Sequence, residues 1–448
     1  MPTFDEDPKE YFQEVLTFLR KEDWIYNYPN THIFVNKILD NFRTDWVESL
    51  RNINNKELND LPAGNVKSDW PTTFQQLLLK IASLKQKIEH YNPSCEHVIL
   101  QPQIRLSAKK AHEITILPTV IHDVCKKLNI SVLVDIGAGI GYLSHILHEN
   151  YNYKILAIEG SSDKVDLALK YQDKYYPGSK SDVKFIHHFI TENSASTIDG
   201  ILRENNWNVE NVGIVGLHAC ADLSVTVLEI FQKLHYAKVL VIMPCCYHRM
   251  EELTITTVKE EFKRFPVSET LKSTYISLNA ESFLRRPFLR LACQQTGNAW
   301  ENMNEEMHEL HSKHCTFRAI LQEVAHEGDY NVKRLKRKSR NCKSCDYTIE
   351  NYANNLRKSH KLVTSDGIEV EIESDFIDKV LAKWENYKEK CYLVEILTAL
   401  QTAIQSICEN IVLLDRVHFL RENGVNCDIY KITDDRISPR CHALLATK

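Results

Sequence analysis

Val132-Leu133-Val134-Asp135-Ile136-Gly137-Ala138-Gly139-Ile140-Gly141-Tyr142-Leu143 is the stretch on which the fold turns. An apolar run from Ile130 to Val134 ends in an acid and three alternate glycines, then enters a helical pattern, so strand, tight loop and helix follow in order. Glycine lets the chain turn sharply there and lets a ligand come closer than a Cβ would allow. The spacing is G-x-G-x-G, with Tyr142 standing where a dinucleotide fingerprint requires its third glycine, which disfavours a nicotinamide or flavin cofactor.

Further apolar runs occupy Ile155 to Ile158, Val183 to Ile186, Val212 to Leu217 and Val239 to Met243, each separated from the next by a helical segment. That alternation predicts right-handed βαβ crossovers and a buried parallel sheet of order 3-2-1-4-5. Glu159 closes the second run about 20 residues past the glycines, where an acid accepts from ribose hydroxyls. Asp135 reads either as an acid held by local amides or as a contact to a cofactor's amino-acid end. The cofactor candidates are therefore Asp135, Gly137, Gly139, Gly141 and Glu159. His187 and His188 follow the third run, where an adenine-contacting side chain would sit, although a plain surface or core role fits them too.

Upstream, Tyr11 to about Tyr91 is mostly helical in pattern, with a helix predicted over Thr72 to His90 between Pro71 and Pro93. A helix-like stretch, Thr119 to Leu128, leads into the first strand. Downstream, periodicity loosens from Glu251 to Ser374, which reads as an insertion. A long helical segment follows, Phe376 to Arg421, and then two strands, Asp428 to Thr433 and Cys441 to Ala446, predicted as an antiparallel hairpin on the sheet's edge. The expected organisation is an α-helical N-terminal region (1–104), an α/β core (105–249), an insertion (250–373) and a helix and hairpin completing the core (374–448).

At 448 residues the chain exceeds the size at which one hydrophobic core usually stops growing, so additions to the main domain are expected. A net charge of −5 argues against overall attraction to nucleic acid while leaving a local basic face open. The opening residues, MPTFDEDPKEYFQEV, lack a basic n-region and an apolar h-region, so an intracellular protein, cytoplasmic or nuclear, is expected. Tyr392 to Leu420 is interrupted by Glu395, Gln401, Gln405, Glu409 and Asp415, which suits a half-buried helix better than a membrane span. Thirteen cysteines in such a chain read as thiols or ligands, because a reducing interior disfavours disulfides.

Two polar clusters close the fourth and fifth runs: Gly216-Leu217-His218-Ala219-Cys220-Ala221-Asp222-Leu223 and Met243-Pro244-Cys245-Cys246-Tyr247-His248. Neighbouring strands would bring them together at the ligand crevice, where they offer carboxylate, imidazole, phenol and thiol groups. Asp222, Tyr247 and His248 are the candidates for handling a second substrate, with a helix cap as the plain reading of Asp222.

These clusters, with SAKKAHEI at Ser107 to Ile114, VDIGAGIGYLS at Val134 to Ser144 and Ile437-Ser438-Pro439-Arg440 near the end, resemble the methyltransferase-like 25 family, also called the ribosomal RNA adenine dimethylase domain-containing family. The resemblance runs from about Trp70 onward. It implies a Rossmann-like methyltransferase fold and S-adenosylmethionine as cofactor, held at Asp135, Gly137, Gly139, Gly141 and Glu159. Adenine-N6 enzymes carry an Asn- or Asp-Pro-Pro-Tyr-like motif after the fourth strand; here that position reads His218-Ala219-Cys220-Ala221-Asp222. The sequence departs from adenine dimethylation at that point. A protein or RNA acceptor ranks ahead of a small molecule, and a catalytically inactive binding scaffold is the rival reading.

His218, Cys220, Cys245, Cys246 and His248 have the chemistry of zinc ligands, yet adjacent Cys245 and Cys246 would point to opposite sides of an extended chain, so no metal is assigned. Cys342-Lys343-Ser344-Cys345 is half of a zinc pattern without its second pair. The basic run Lys333 to Arg340 could contact an acidic partner or RNA, and a solvated loop is its plain reading. Lys109 and Lys110 precede the core on an expected helix, where Glu113 can pair with Lys109 at i+4; their place in the SAKKAHEI segment suggests the alternative of a gate over the cofactor.

Overall fold

The computed structural model describes residues 7–94, 98, 106–205, 207, 209–294, 296–335 and 347–448. It divides into two compact units: Met1–Phe18, Gln86–Thr296 and Ile407–Lys448 form one, Leu19–Lys85 and Gly297–Ser406 the other.

The first unit is built on seven strands: β1 (Val132–Ile136), β2 (Lys154–Glu159), β3 (Val183–His187), β4 (Val212–Cys220), β5 (Ala237–Cys245), β6 (Asn426–Lys431) and β7 (His442–Thr447). Their order across the sheet is β3-β2-β1-β4-β5-β7-β6, so the predicted 3-2-1-4-5 arrangement is present and the hairpin extends it. Strands β1 to β5 run parallel, β7 lies antiparallel to β5 with Leu444 opposite Ile242, and β6 pairs antiparallel with β7. All five residues of β1 are buried, as expected of a strand covered on both faces by crossover helices. This is an α/β, Rossmann-like architecture. The carboxyl ends of β1, β2, β4 and β5 share one edge, with the switch in strand order between β1 and β4.

Several sequence boundaries move. The helix expected over Thr72 to His90 ends at Leu84, because Glu89 to Tyr91 run extended along β6: Tyr91 N donates to Lys431 O and Lys431 N to Glu89 O. The helix preceding β1 spans Ala108–Lys127 rather than starting after Pro118; Ser107 Oγ caps it by accepting from Lys110 N, and a largely buried run from Glu113 to Cys125 holds Pro118 within it. The hairpin strands also shift by a residue or two from their expected bounds.

Residues 250–373 do not form one insertion. The portion to Thr296 belongs to the sheet unit, where Asp415 accepts from Val267 N, Ser268 N and Ser268 Oγ. The remainder joins Leu19–Lys85 in the second unit. That unit contains the helices Thr72–Leu84, Glu305–Glu327, Ile349–Ser359 and Ser374–Tyr387 and a three-stranded antiparallel sheet of Asn331–Arg334, His360–Val363 and Glu369–Val370. The 336–340 part of the basic run and the Cys342/Cys345 half-site lie outside the described residues.

The helix Cys391–Glu422 falls in the one stretch among the described residues long and apolar enough to cross a membrane, yet most of that stretch is buried inside the protein. Two of its buried polar side chains have protein partners: Gln401 Nε2 donates to Ile25 O, and Glu395 pairs with His308 Nδ1 and His311 Nδ1.

Candidate functional site

The loop after β1 takes its shape from three left-handed glycines, Gly137, Gly139 and Gly141, at φ of +75°, +62° and +83°. Gly137 N and Ala138 N both donate to Ile158 O, which ties the loop to the end of β2. A Cβ on Gly141 would collide with the Phe185 ring, whereas one on Gly139 would meet nothing within 4 Å. Gly141 is therefore required by packing, and Gly139 by its backbone angle and its place on the wall of a crevice.

That crevice, of about 930 Å³, lies at the carboxyl ends of the parallel strands. Asp135, Gly137, Gly139 and Glu159 all line it; Gly141 supports the loop from behind. Glu159 is buried and accepts from Gly139 N at 2.9 Å and Ser161 N at 3.1 Å, with Lys164 Nζ 3.4 Å away. A carboxylate has about four lone-pair sites, so it can still accept from a ligand's hydroxyls. Asp135 accepts from Ser144 Oγ at 2.6 Å, and burial pushes its carboxyl up to about 7. His187 and His188 do not line the crevice; they contact Gly160 O and Ser194 Oγ. Phe189, Ile190 and Thr191, just beyond them, do, and Phe189 is 73% exposed.

At the other end the two polar clusters meet as the strand order requires, since Cys220 and Cys245 are register partners on β4 and β5. His218, Cys220, Asp222, Cys245 and Arg440 line this end. Asp222 stands at the start of the Leu223–Lys233 helix without capping it: Oδ2 accepts from Glu251 N at 2.8 Å, and Oδ1 is buried without a partner. His218 places Nε2 3.3 Å from Glu113 Oε2, while its buried Nδ1 has no partner. Glu113 is buried rather than paired on the surface with Lys109. It also accepts from Ser438 Oγ at 2.6 Å, and despite its burial, hydrogen bonds from His218 and Ser438 hold its carboxyl below the usual range.

Tyr247 and His248 are placed differently from their expected roles. Cys246 adopts φ +53°, which ends the strand and carries Tyr247 and His248 into the short turn Tyr247–Arg249. Tyr247 is 1% exposed, with the Arg416 guanidinium 5.4 Å from its ring centre, and it does not line the crevice. His248 contacts Cys293 Sγ at 3.1 Å and also stands outside it.

Sequence reading left Arg440, Phe189 and Thr226 without a role, gave Glu113 only a local pairing, and offered Lys110 either an uninvolved surface place or a gate over the cofactor. SAKKAHEI and Ile437-Ser438-Pro439-Arg440 stood out as strings, but nothing local shows that they converge on the same site. Lys110 lines the crevice with Nζ 4.1 Å from the Tyr142 ring centre, which accords with a gating position.

A family profile described as a methyltransferase domain matches residues 109–253, the segment carrying β1 to β5 and both clusters. The chain is 26% identical over 304 residues to the probable methyltransferase-like protein 25 of Mus musculus, covering 65% of this chain and 47% of that protein. Its Homo sapiens counterpart is 27% identical over 278 residues, covering 60% and 42%. The chain thus spans less than half the length of the curated relatives it matches. They support the methyltransferase-like half of the resemblance; the adenine-dimethylase half finds no support in them. Among solved structures, M. capricolum TrmK in complex with S-adenosyl-homocysteine is 21% identical, covering 31% of this chain and 51% of that one, with a TM-score of 0.21. A SAM-dependent methyltransferase from Aquifex aeolicus is 17% identical, covering 30% and 65%, with a TM-score of 0.20.

Proposed function

We propose that this chain is an S-adenosylmethionine-dependent methyltransferase acting on a macromolecular acceptor. The observation that carries the reading is a single crevice at the topological switch point, with a glycine loop and Glu159 at one end and His218 and Asp222 at the other. When bound, the cofactor supplies an electrophilic methyl group on a sulfonium. Glu159 would hold its ribose hydroxyls, Asp135 and the Gly137–Gly141 loop its amino-acid end, and Phe189 and Ile190 the adenine face.

The chain's own contribution is chiefly to hold two reactants in line and keep water out. Where the acceptor atom carries a proton, His218 is the candidate to take it: it lines the crevice, and Glu113 faces its Nε2 and fixes the ring. Asp222, which also lines the crevice, is the candidate anchor for a donor group of the acceptor. Tyr247 and His248 act as packing beneath this end, not as contacts to it.

A hairpin of Glu252–Ile255 and Glu260–Phe262 extends from the crevice wall at Glu251 and Lys263, and exposes Leu253, Ile255 and Val258. Three exposed aliphatic side chains beside the site favour a macromolecule over a small molecule, and aliphatic rather than stacking side chains on this hairpin favour protein over RNA. Incubation of the protein with a cell lysate and tritiated methyl donor tests this reading. Label that is destroyed by protease and survives ribonuclease is expected; donor binding without any label transfer would leave a binding scaffold as the function.

A further inference from the structure

Cys220, Cys245 and Cys246 bring their sulfur atoms within 4.8 Å of one another at the acceptor end of the crevice. Opposite directions would be expected of adjacent cysteines on a strand, but Cys246 at φ +53° has left the strand and its sulfur turns to the same side as that of Cys245. Cys220 reaches the group from the neighbouring strand, with its Sγ 3.0 Å from that of Cys245. Arg440 Nη2 stands 3.8 Å from Cys246 Sγ.

We propose that these three cysteines form a thiolate site for a single zinc ion whose fourth position opens into the crevice. Thiolates bound tetrahedrally at about 2.3 Å from zinc stand about 3.8 Å apart, so shifts of under about 1 Å convert the observed spacing into a coordination shell. Three sulfur ligands select thiophilic ions over magnesium or calcium. Charge agrees as well: a zinc ion with three thiolates carries one net negative charge, and Arg440 stands where it offsets it. Zinc binding forms three Zn–S bonds, breaks the S–H bonds of the thiols and releases their protons to solvent. Cys220 and Cys245 line the crevice, so the open position meets a water or a donor atom of the acceptor, the arrangement of a reactive rather than a purely structural zinc.

Metal analysis of the 448-residue chain, purified under reducing conditions without chelator, tests the site. About one zinc per chain is expected, with X-ray absorption at the zinc edge showing about three sulfur neighbours at about 2.3 Å. Cys246→Ser, checked for folding by circular dichroism, is expected to weaken zinc at least roughly tenfold, while Cys391→Ser in the other unit leaves it unchanged. Failure of the wild type to take up added zinc against a chromogenic chelator overturns the proposal, as does zinc retained in full by Cys246→Ser or a shell without sulfur. A Cys220–Cys245 disulfide in the freshly reduced wild type does so too. Calorimetry with S-adenosylmethionine on the same sample keeps the two readings apart: donor binding without zinc removes only this site, and zinc without donor binding removes only the methyltransferase reading.

Discussion

At the donor end of the crevice the groups that shape the loop, Asp135, the three glycines, Ser144, Glu159 and Lys164, come from one βαβ stretch of about thirty residues, whereas the acceptor end joins Glu113 to Ser438 across 325 positions of chain. The donor end is held by backbone: loop amides on Ile158 O and Glu159, and glycine angles that few other residues adopt. The acceptor end is held by side chains reaching across from the Ala108–Lys127 helix, β4, β5 and the loop before β7. Local geometry makes the first end robust and sequence-readable. The second exists only when the C-terminal hairpin is in place.

Substitutions that touch one end and not the other can break this contrast. The largest effect is expected from His218→Ala, which removes the candidate proton acceptor: turnover should fall by about 10²–10⁴ for an acceptor that must lose a proton, with donor affinity unchanged in calorimetry. A parallel loss of donor binding would show that the two ends are not separable. Glu159→Gln is next. Losing a charged acceptor from ligand hydroxyls and from Gly139 N should weaken the donor by about 1.5–3 kcal/mol, read as Kd, while thermal stability changes far less.

Asp135 gives the donor end a pH dependence. Its folded-state carboxyl lies at about 7 against an ordinary 3.8, because burial penalises the charge. The folded protein therefore binds the extra proton, and the stability this contributes is present below about pH 4 and lost as pH rises through 7. A cationic ligand amine needs the ionised form, so donor affinity should rise by up to about tenfold per pH unit below 7 and level off above it. Asp135→Asn should flatten that profile; a wild-type profile that falls with pH would place the amine elsewhere. The smallest effect belongs to Ser438→Ala, which removes one bond to Glu113 and should lower turnover about fivefold, equivalent to about 1 kcal/mol, without moving donor affinity.

The same contrast explains what could be read from the sequence. Buried parallel strands appear as apolar runs, so β1 to β5 and their order were legible, as was the hairpin, and the glycine loop with Glu159 carried its own spacing. Side-chain direction at the acceptor end was not. It depends on the left-handed turn at Cys246, which sends Tyr247 into the core and turns two adjacent sulfurs to one side, and no periodicity marks a single positive φ in a non-glycine residue. The pairing of Glu113 with His218 and Ser438 was hidden because Lys109 offered a plausible local partner four residues away. The second unit escaped for a related reason: Leu19–Lys85 and Gly297–Ser406 are far apart in sequence, and short helices leave little trace of which segments fold together.

The central claim is that the loop of Gly137 to Gly141 cradles S-adenosylmethionine, and calorimetric titration of the donor into wild type and Gly139→Arg tests it most directly. Gly139 has open space beside it in the crevice, so an arginine there fills the cradle rather than the core. The expected result is saturable micromolar-range binding by the wild type, abolished in a Gly139→Arg variant that remains folded. Absence of heat and of any thermal shift in the wild type, with denaturing extraction releasing no pre-bound donor or demethylated product, would contradict the claim.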